Sequence, residues 1–513
     1  MKRLALIAGI ALLALTFTGC PTSDDESEDC TGGTPPPPIL IPENLPPRPS
    51  DPPVHIGDAP SLGYIWADHF PLGNIIAYRH HRRHSDIAAV DPPGAIATTA
   101  EQAYNRGHLL RRHFRILTAE DEMKPQFINA GNQGQFNWTR TDRIIDFAEE
   151  HGMRMHGHTL VWHSQSPWQL NQMSNGGPPI PRDEAIENLV THIETVMRYF
   201  GDDVESWDVL NEVFGSWFGG NVTADNWRDN LRTFPPGGGA PHESGTPWAR
   251  AIGVYPHDTR DPNRYCYIWI SFTTARRVAD EIDAAAGRPV GTMILYYNDY
   301  NEEAPSKRDA IYFMVREMNQ RFAAILGNED RLLIDAIGMQ AHYHRGEVDG
   351  VVTESYRWAT SVPDVRAALE RFASLIDQGL LRYVSITELD VTVGDTGNPA
   401  GNNVTARPPG NPLSPSQARQ QAIMYAQLFR IFRDNARHIR RVSFWGIDDP
   451  GSWRHRGSPH LWDGDLRPKE AFWAVAAPDA FLLPNGQARP DAEIDAFLEN
   501  PRAGGHIPAG AWY

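Results

Sequence analysis

Two glutamates, Glu212 and Glu388, close two short apolar runs, Val204–Leu210 and Tyr383–Thr387, far apart in the chain. A strand that delivers an acid at its C-terminal end, and does so twice, suggests two carboxylates meeting at the mouth of a barrel of parallel strands. Facing carboxylates are the usual apparatus for cleaving a glycosidic bond. One protonates the leaving oxygen, and the other attacks the anomeric carbon or activates water. A lone Glu at a strand end is more often half of a surface ion pair. Asn211 directly before one acid, and Asp390 two residues beyond the other, argue for a built site.

The elements that position these acids can be read from the pattern. Eight short apolar runs read as strands: Leu72–Ala77, His113–Leu117, Arg154–Leu160, Val204–Leu210, Met293–Tyr297, Ala336–Gln340, Tyr383–Thr387 and Val442–Trp445. Helix-period segments lie between them, among them Asp142–Glu150, Ala185–Tyr199, Ser306–Leu326 and Asp364–Gln378. Eight such alternations favour an α/β fold closed as a (β/α)8 barrel over an open sheet. Gly215–Pro262 and Gly394–Pro415, rich in Gly, Pro and Asn, read as loop insertions after strands 4 and 7, at the face that carries the acids.

The chain of 513 residues is 41% hydrophobic, enough for one large core, and carries a formal charge of −17, which argues against nucleic acid or an anionic membrane surface as a partner. Fifteen Trp residues suit a sugar binder, since sugar rings stack on flat apolar plates, although core filling accounts for many of them. Lys2-Arg3 and the apolar stretch Leu4–Phe17 read as an export signal over residues 1–19. Thr16–Cys20 is similar to a bacterial lipobox, so Cys20 is expected to be lipidated; an ordinary signal peptide is the alternative. Residues 20–53, acidic and then Pro-rich, read as a tether. Residues 54–485 read as the catalytic barrel and 486–513 as a tail without a legible signal. Three Cys residues give no disulfide framework. The run Arg79–His84 has histidines enough to suggest a metal site, but a solvated basic loop explains it better, and no metal or other cofactor is expected.

Seven segments in order resemble glycoside hydrolase family 10, chiefly endo-β-1,4-xylanases. They are Thr118–Lys124, Gly157–Gln165, Trp207–Glu212, Tyr297–Asn301, Ile337–His342, Ile386–Val391 and Phe444–Asp449. The resemblance implies a retaining mechanism on xylan, with Glu388 as nucleophile and Glu212 as general acid and then base. It implies that Asn211 binds the sugar 2-hydroxyl, and that His342 and Asp390 hold the nucleophile ionised and oriented. Glu120, Lys124, His163 and Gln340 would contact the sugar on the non-reducing side. Asn298 and Tyr300 would line the mouth, and Trp445 and Trp453 would roof the point of cleavage, with Trp168 as a further wall. Retention requires carboxyl groups only about 5–5.5 Å apart, and an ionised Glu388 would raise the pKa of Glu212 by like-charge repulsion. The chain departs from the family pattern at Asp121, Pro125 and Tyr343, where Asn, Trp and Trp are usual. Those changes bear on substrate preference more than on the chemistry. Other retaining β-glycanase activities on the same scaffold, or a glycan-binding surface lipoprotein without catalysis, are the rival readings. Two intact facing acids speak against the second.

Overall fold

The computed structural model describes residues 59–77, 100–129, 135–215, 220–232, 246–253, 267–348, 351–352, 359–394 and 413–512. The signal, Cys20, the tether, the Arg79–His84 run, most of the second insertion and parts of the first lie outside the described residues. Eight parallel strands form a closed ring: β1 Leu72–Ile76, β2 Ile116–Ala119, β3 Arg154–Gly157, β4 Val204–Asn211, β5 Ile294–Asp299, β6 Ala336–Met339, β7 Tyr383–Gly394 and β8 Ile439–Phe444. Each pairs with the next, and β8 pairs with β1, so the barrel leaves no open edge. Strands such as β1 and β5 are buried at every position. Their near-continuous apolar runs follow from being covered on both faces.

All eight expected strands are present, and the four named helices appear as Thr139–Glu150, Arg182–Phe200, Pro305–Leu326 and Val362–Asp377. Local chemistry sets several ends. Ser361 caps the helix Val362–Asp377 by accepting from the Asp364 amide, and Gly327 ends Pro305–Leu326 in a left-handed conformation. The expected start of strand 2 at His113 is corrected. The helix Ala100–His113 runs through that residue, and the strand begins at Ile116. His113 is fully buried, and its Nδ1 accepts from the Leu62 amide, so tertiary packing keeps it in the helix. Strand 3 stops at Gly157, and Val161–Trp162 then pairs separately with β4.

Strand 7 runs seven residues beyond the expected Thr387, because past the barrel wall it pairs with a further strand, His342–Val348. The first insertion is not plain loop. It contains the helix Pro247–Ile252 and the turn Trp227–Asn230, with Trp227 and Trp248 buried. The tail beyond residue 485 forms the helix Asp491–Glu499, which buries Ile494, and a final turn that buries Ala511. The Ser61 amide donates to the Ala511 carbonyl at 2.7 Å, so the two ends of the described chain meet. They meet at the N-terminal end of the barrel, opposite the acids, since Ser61 Oγ also donates to Arg112 O just before β2.

Candidate active site

Backbone irregularity aims both acids. Between Asp208↔Tyr296 and Leu210↔Tyr297, β4 carries one residue more than β5. Between Ile386↔Val442 and Leu389↔Phe444, β7 likewise carries one more than β8. Such bulges redirect the side chains that follow. The first lies just before Asn211 and Glu212, and the second brackets Glu388. Glu212 itself has a φ of 58°, in the left-handed region that non-glycine residues adopt at a cost. Two backbone bonds hold it there: its amide donates to Asn298 O, and its carbonyl accepts from Arg232 Nε, both at 2.9 Å.

The two acids are joined by amide side chains. Asn298 Nδ2 donates to Glu388 Oε1 at 2.8 Å and to Asn211 Oδ1 at 3.0 Å. Gln340 Nε2 donates to Glu212 Oε1 and to the same Asn211 Oδ1, each at 3.0 Å. Thr387 Oγ1 fixes the other face of Asn298 by donating to its Oδ1 at 2.6 Å. Residues in or directly after β4, β5, β6 and β7 therefore supply one continuous network, and Asn211 is its hub.

On the other side of Glu388, His342 bridges two carboxylates. Its Nε2 lies 3.0 Å from Glu388 Oε2 and its Nδ1 2.8 Å from Asp390 Oδ2. Burial works against a charge on His342, but Asp390 and Glu388 overcome it and raise its pKa to about 9. The ring is therefore an imidazolium at neutral pH and donates to both acids. Burial pushes the Asp390 carboxyl up, yet Arg454 and His342 hold it below the ordinary range.

Glu212 departs from expectation. Burial raises its pKa, but His163, Arg232 and the Gln340 amide outweigh burial and leave it below the usual value. His163 Nδ1 is 3.8 Å from Glu212 Oε2, and Arg232 is 3.9 Å away. His163 is itself pushed down to about 4, chiefly by burial. Near neutral pH it is uncharged, and Arg232 is the lasting cation beside Glu212. Like-charge repulsion from Glu388 is thus not the dominant influence on Glu212.

The remaining expected residues gather around this centre. Lys124 lies 5.3 Å over the Trp162 ring, which meets His163 edge-on, and its Nζ pairs with Asp121 at 2.9 Å. Glu120 follows β2 directly and is partly exposed. Tyr300 accepts from Arg232 at 2.7 Å. Trp453, 44% exposed, stands edge-on to His342 at 5.2 Å, while buried Trp445 packs against His158. Trp168 opens a one-turn helix and is half-buried. Arg232, Thr387 and Arg454 escaped the sequence reading. Arg454 follows Trp453 directly, and Thr387 lies within the Ile386–Val391 segment just before Glu388, which were the available signals. Among the described residues no group of three or more His, Cys, Asp or Glu side chains is placed to hold a metal ion.

A closed eight-stranded barrel with one acid directly after β4 and the other in β7 where that strand leaves the barrel wall, each anchored to amide donors, defines a glycoside hydrolase of the (β/α)8 class. The chain belongs to glycosyl hydrolase family 10, which it matches over residues 88–478. It is 31% identical over 403 residues to endo-1,4-beta-xylanase A of Halalkalibacterium halodurans, covering 74% of this chain and 83% of that protein. It is 28% identical to a thermostable celloxylanase of Thermoclostridium stercorarium, covering 82% and 88%. The chain spans only about a third of the length of several other curated relatives it matches. A family 10 structure from Paenibacillus barcinonensis superposes with a TM-score of 0.59 at 25% identity, covering 82% of this chain and 97% of that one.

Proposed function

We propose that this chain is an endo-acting β-1,4-xylanase that cleaves xylan by double displacement with retention. The observation that carries the reading is the amide network that ties Glu388 and Glu212 to the same Asn211 oxygen. In the first step Glu388 Oε attacks the anomeric carbon while the glycosidic bond breaks, and the proton of Glu212 passes to the leaving oxygen. In the second step Glu212 takes a proton from water. The water oxygen attacks the same carbon, and the ester to Glu388 breaks. Imidazolium His342 keeps Glu388 oriented for attack. Asn211 would meet the sugar 2-hydroxyl, and Asn298 and Tyr300 would line the mouth. Glu120, Lys124, His163 and Gln340 would hold the non-reducing side, and Trp445 and Trp453 would roof the bond that breaks. A tight roof favours xylose, which lacks the hydroxymethyl group of glucose.

Glu212 favours its ionised form, so the proton it donates must be taken up as substrate binds. A bound sugar chain displaces water from the cleft and strengthens the repulsion between the two acids, and both effects raise the Glu212 pKa. The relatives named as xylanases support the substrate class. Export through the N-terminal signal and lipidation at Cys20 complete the proposal, and both rest on the sequence. The deciding experiment is product analysis on xylan, cellulose and mixed-linkage glucan, with the anomeric configuration of fresh product followed by NMR. Internal cleavage of xylan with a β product is expected. Inverted product, or faster turnover of either glucan, would overturn the reading.

A further inference from the structure

Arg454 has no role in the chemistry described so far, yet it is among the most constrained charges in the molecule. It is 4% exposed and lies in the segment after β8, directly behind Trp453. Its Nη1 donates to Asp390 Oδ1 and, at 3.1 Å, to the carbonyl of Tyr343. Its Nη2 donates to Thr392 Oγ1 at 3.0 Å. The guanidinium therefore spans β7 and the strand that begins at His342, and it reaches the one Asp390 oxygen that His342 leaves free, since His342 takes Oδ2. Gly457 fits this corner because a Cβ there would lie 2.5 Å from the Thr392 side chain.

We propose that Arg454 is a positioning residue for the nucleophile: by holding Asp390 as an anion it keeps the His342 imidazolium in place, and His342 in turn keeps Glu388 aimed. The proposal rests on the retaining reading above and extends it one residue outward, to a chain of charge that runs Arg454, Asp390, His342, Glu388. Burial by itself favours a neutral Asp390. Among the described residues, Arg454, His342, His460 and Tyr425 face it. Arg454 and His342 are cationic in the working range. His460, fully buried and pushed down to about 3, is neutral there, and so is Tyr425, whose pKa is raised well above its usual value. Glu388 lies beyond His342. His342 owes its own charge to Asp390 and Glu388, so it cannot independently fix the charge of Asp390. Arg454 can, because its proton is never lost in the working range.

The sign follows. Without the guanidinium, Asp390 protonates at a higher pH. His342 then loses the anion that raises its pKa, and Glu388 loses the donor that aims it. The Asp390 change moves the acid limb of the rate profile upward, while the His342 change draws the alkaline limb downward. The test compares wild type, Arg454→Lys and Arg454→Gln on xylan and on an aryl xylobioside across pH 4–9, with thermal melts of each. Arg454→Gln is expected to raise the acid limb of kcat by about one pH unit. It is expected to lower kcat near that limb about tenfold, with KM within about twofold. Arg454→Lys keeps the charge and should keep the limb. If Arg454→Gln does not fold, Thr392→Val decides, because it removes the Nη2 acceptor and should shift the limb in the same direction by less. A folded Arg454→Gln with the wild-type acid limb, or a limb unmoved in Thr392→Val where that variant decides, would overturn the proposal. A wild type inactive on xylan would instead overturn the functional reading beneath it.

Discussion

Glu388 and Glu212 have separate jobs, and substitution should separate them. Glu388 holds its geometry through Asn298 and His342. Glu388→Ala is expected to lose on the order of 10⁴-fold or more in kcat. A small external anion such as azide should restore part of the turnover and give an inverted product, because it enters from the side the nucleophile has left. Rescue without inversion would remove Glu388 from that role. Glu212→Ala leaves the nucleophile intact and removes only the proton donor and base. Its first step should slow far more on xylan than on an aryl glycoside with an acidic leaving group, since protonation helps only a basic oxygen. Burst kinetics on the aryl substrate check this, and equal losses on both substrates would count against the assignment.

At the scale of the element, the connection from β5 to the helix Pro305–Leu326 carries an unusual burden. Glu302 is fully buried and accepts from Tyr343 Oη at 2.9 Å. Burial, then repulsion from Glu303, raise its pKa to about 8, while Glu303 is raised to about 7, chiefly by burial. A carboxyl raised above its unfolded value near 4.5 gives full stability below that pH, and this contribution is lost as pH rises through the folded value. Stability should therefore decline between about pH 5 and pH 8. Glu302→Gln keeps a neutral group of the same shape and should flatten that decline, gaining on the order of 1–3 kcal/mol above pH 8 and little at pH 5. Denaturant melts at the two pH values measure it. An equal effect at both would show that Glu302 is not the titrating group. The same connection lies behind the site, since Tyr343 follows His342 and its carbonyl accepts from Arg454.

For the whole molecule, the C-terminal residues act as a fastening of the barrel base. Ile494, Phe497, Ile507 and Ala511 are buried, and Arg419 of the helix Pro415–Asp434 pairs with Asp491 and Asp495. Trp512 packs 6.2 Å from Trp473. Deleting residues 486–513 should cost on the order of 5 kcal/mol of stability, from the apolar side chains exposed. Activity at low temperature should stay near wild type, because the acids lie at the opposite end of the barrel. A melt and an activity assay on the truncated chain separate these outcomes, and unchanged stability would contradict the fastening. Cys20→Ser tests the proposed anchor. The variant is expected in the soluble fraction with unchanged specific activity, and membrane retention after fractionation would point to another attachment.

Much of this protein was legible in its sequence because period, composition and local motif are local properties. The eight strands, the helices between them, and Glu212 and Glu388 at strand ends follow from patterns that span a few residues each. So do Asn211, His342 and Asp390, which lie beside or within the same motifs. The family itself follows from seven such segments in order. What tertiary structure decided was geometry across the ring. The bulges in β4 and β7 depend on register between neighbours, and no single strand encodes them. His113 stayed helical because Leu62 and the barrel base enclose it. The tail, silent as a sequence, packs because its few apolar residues find a complementary surface far away in the chain. The expected rise in the Glu212 pKa from Glu388 gives way to a lowered one for the same reason. Burial pushes its pKa up, but His163, Arg232 and Gln340, which come from three distant stretches, together outweigh burial. Electrostatic influence acts through space, so only the folded arrangement fixes which charge wins.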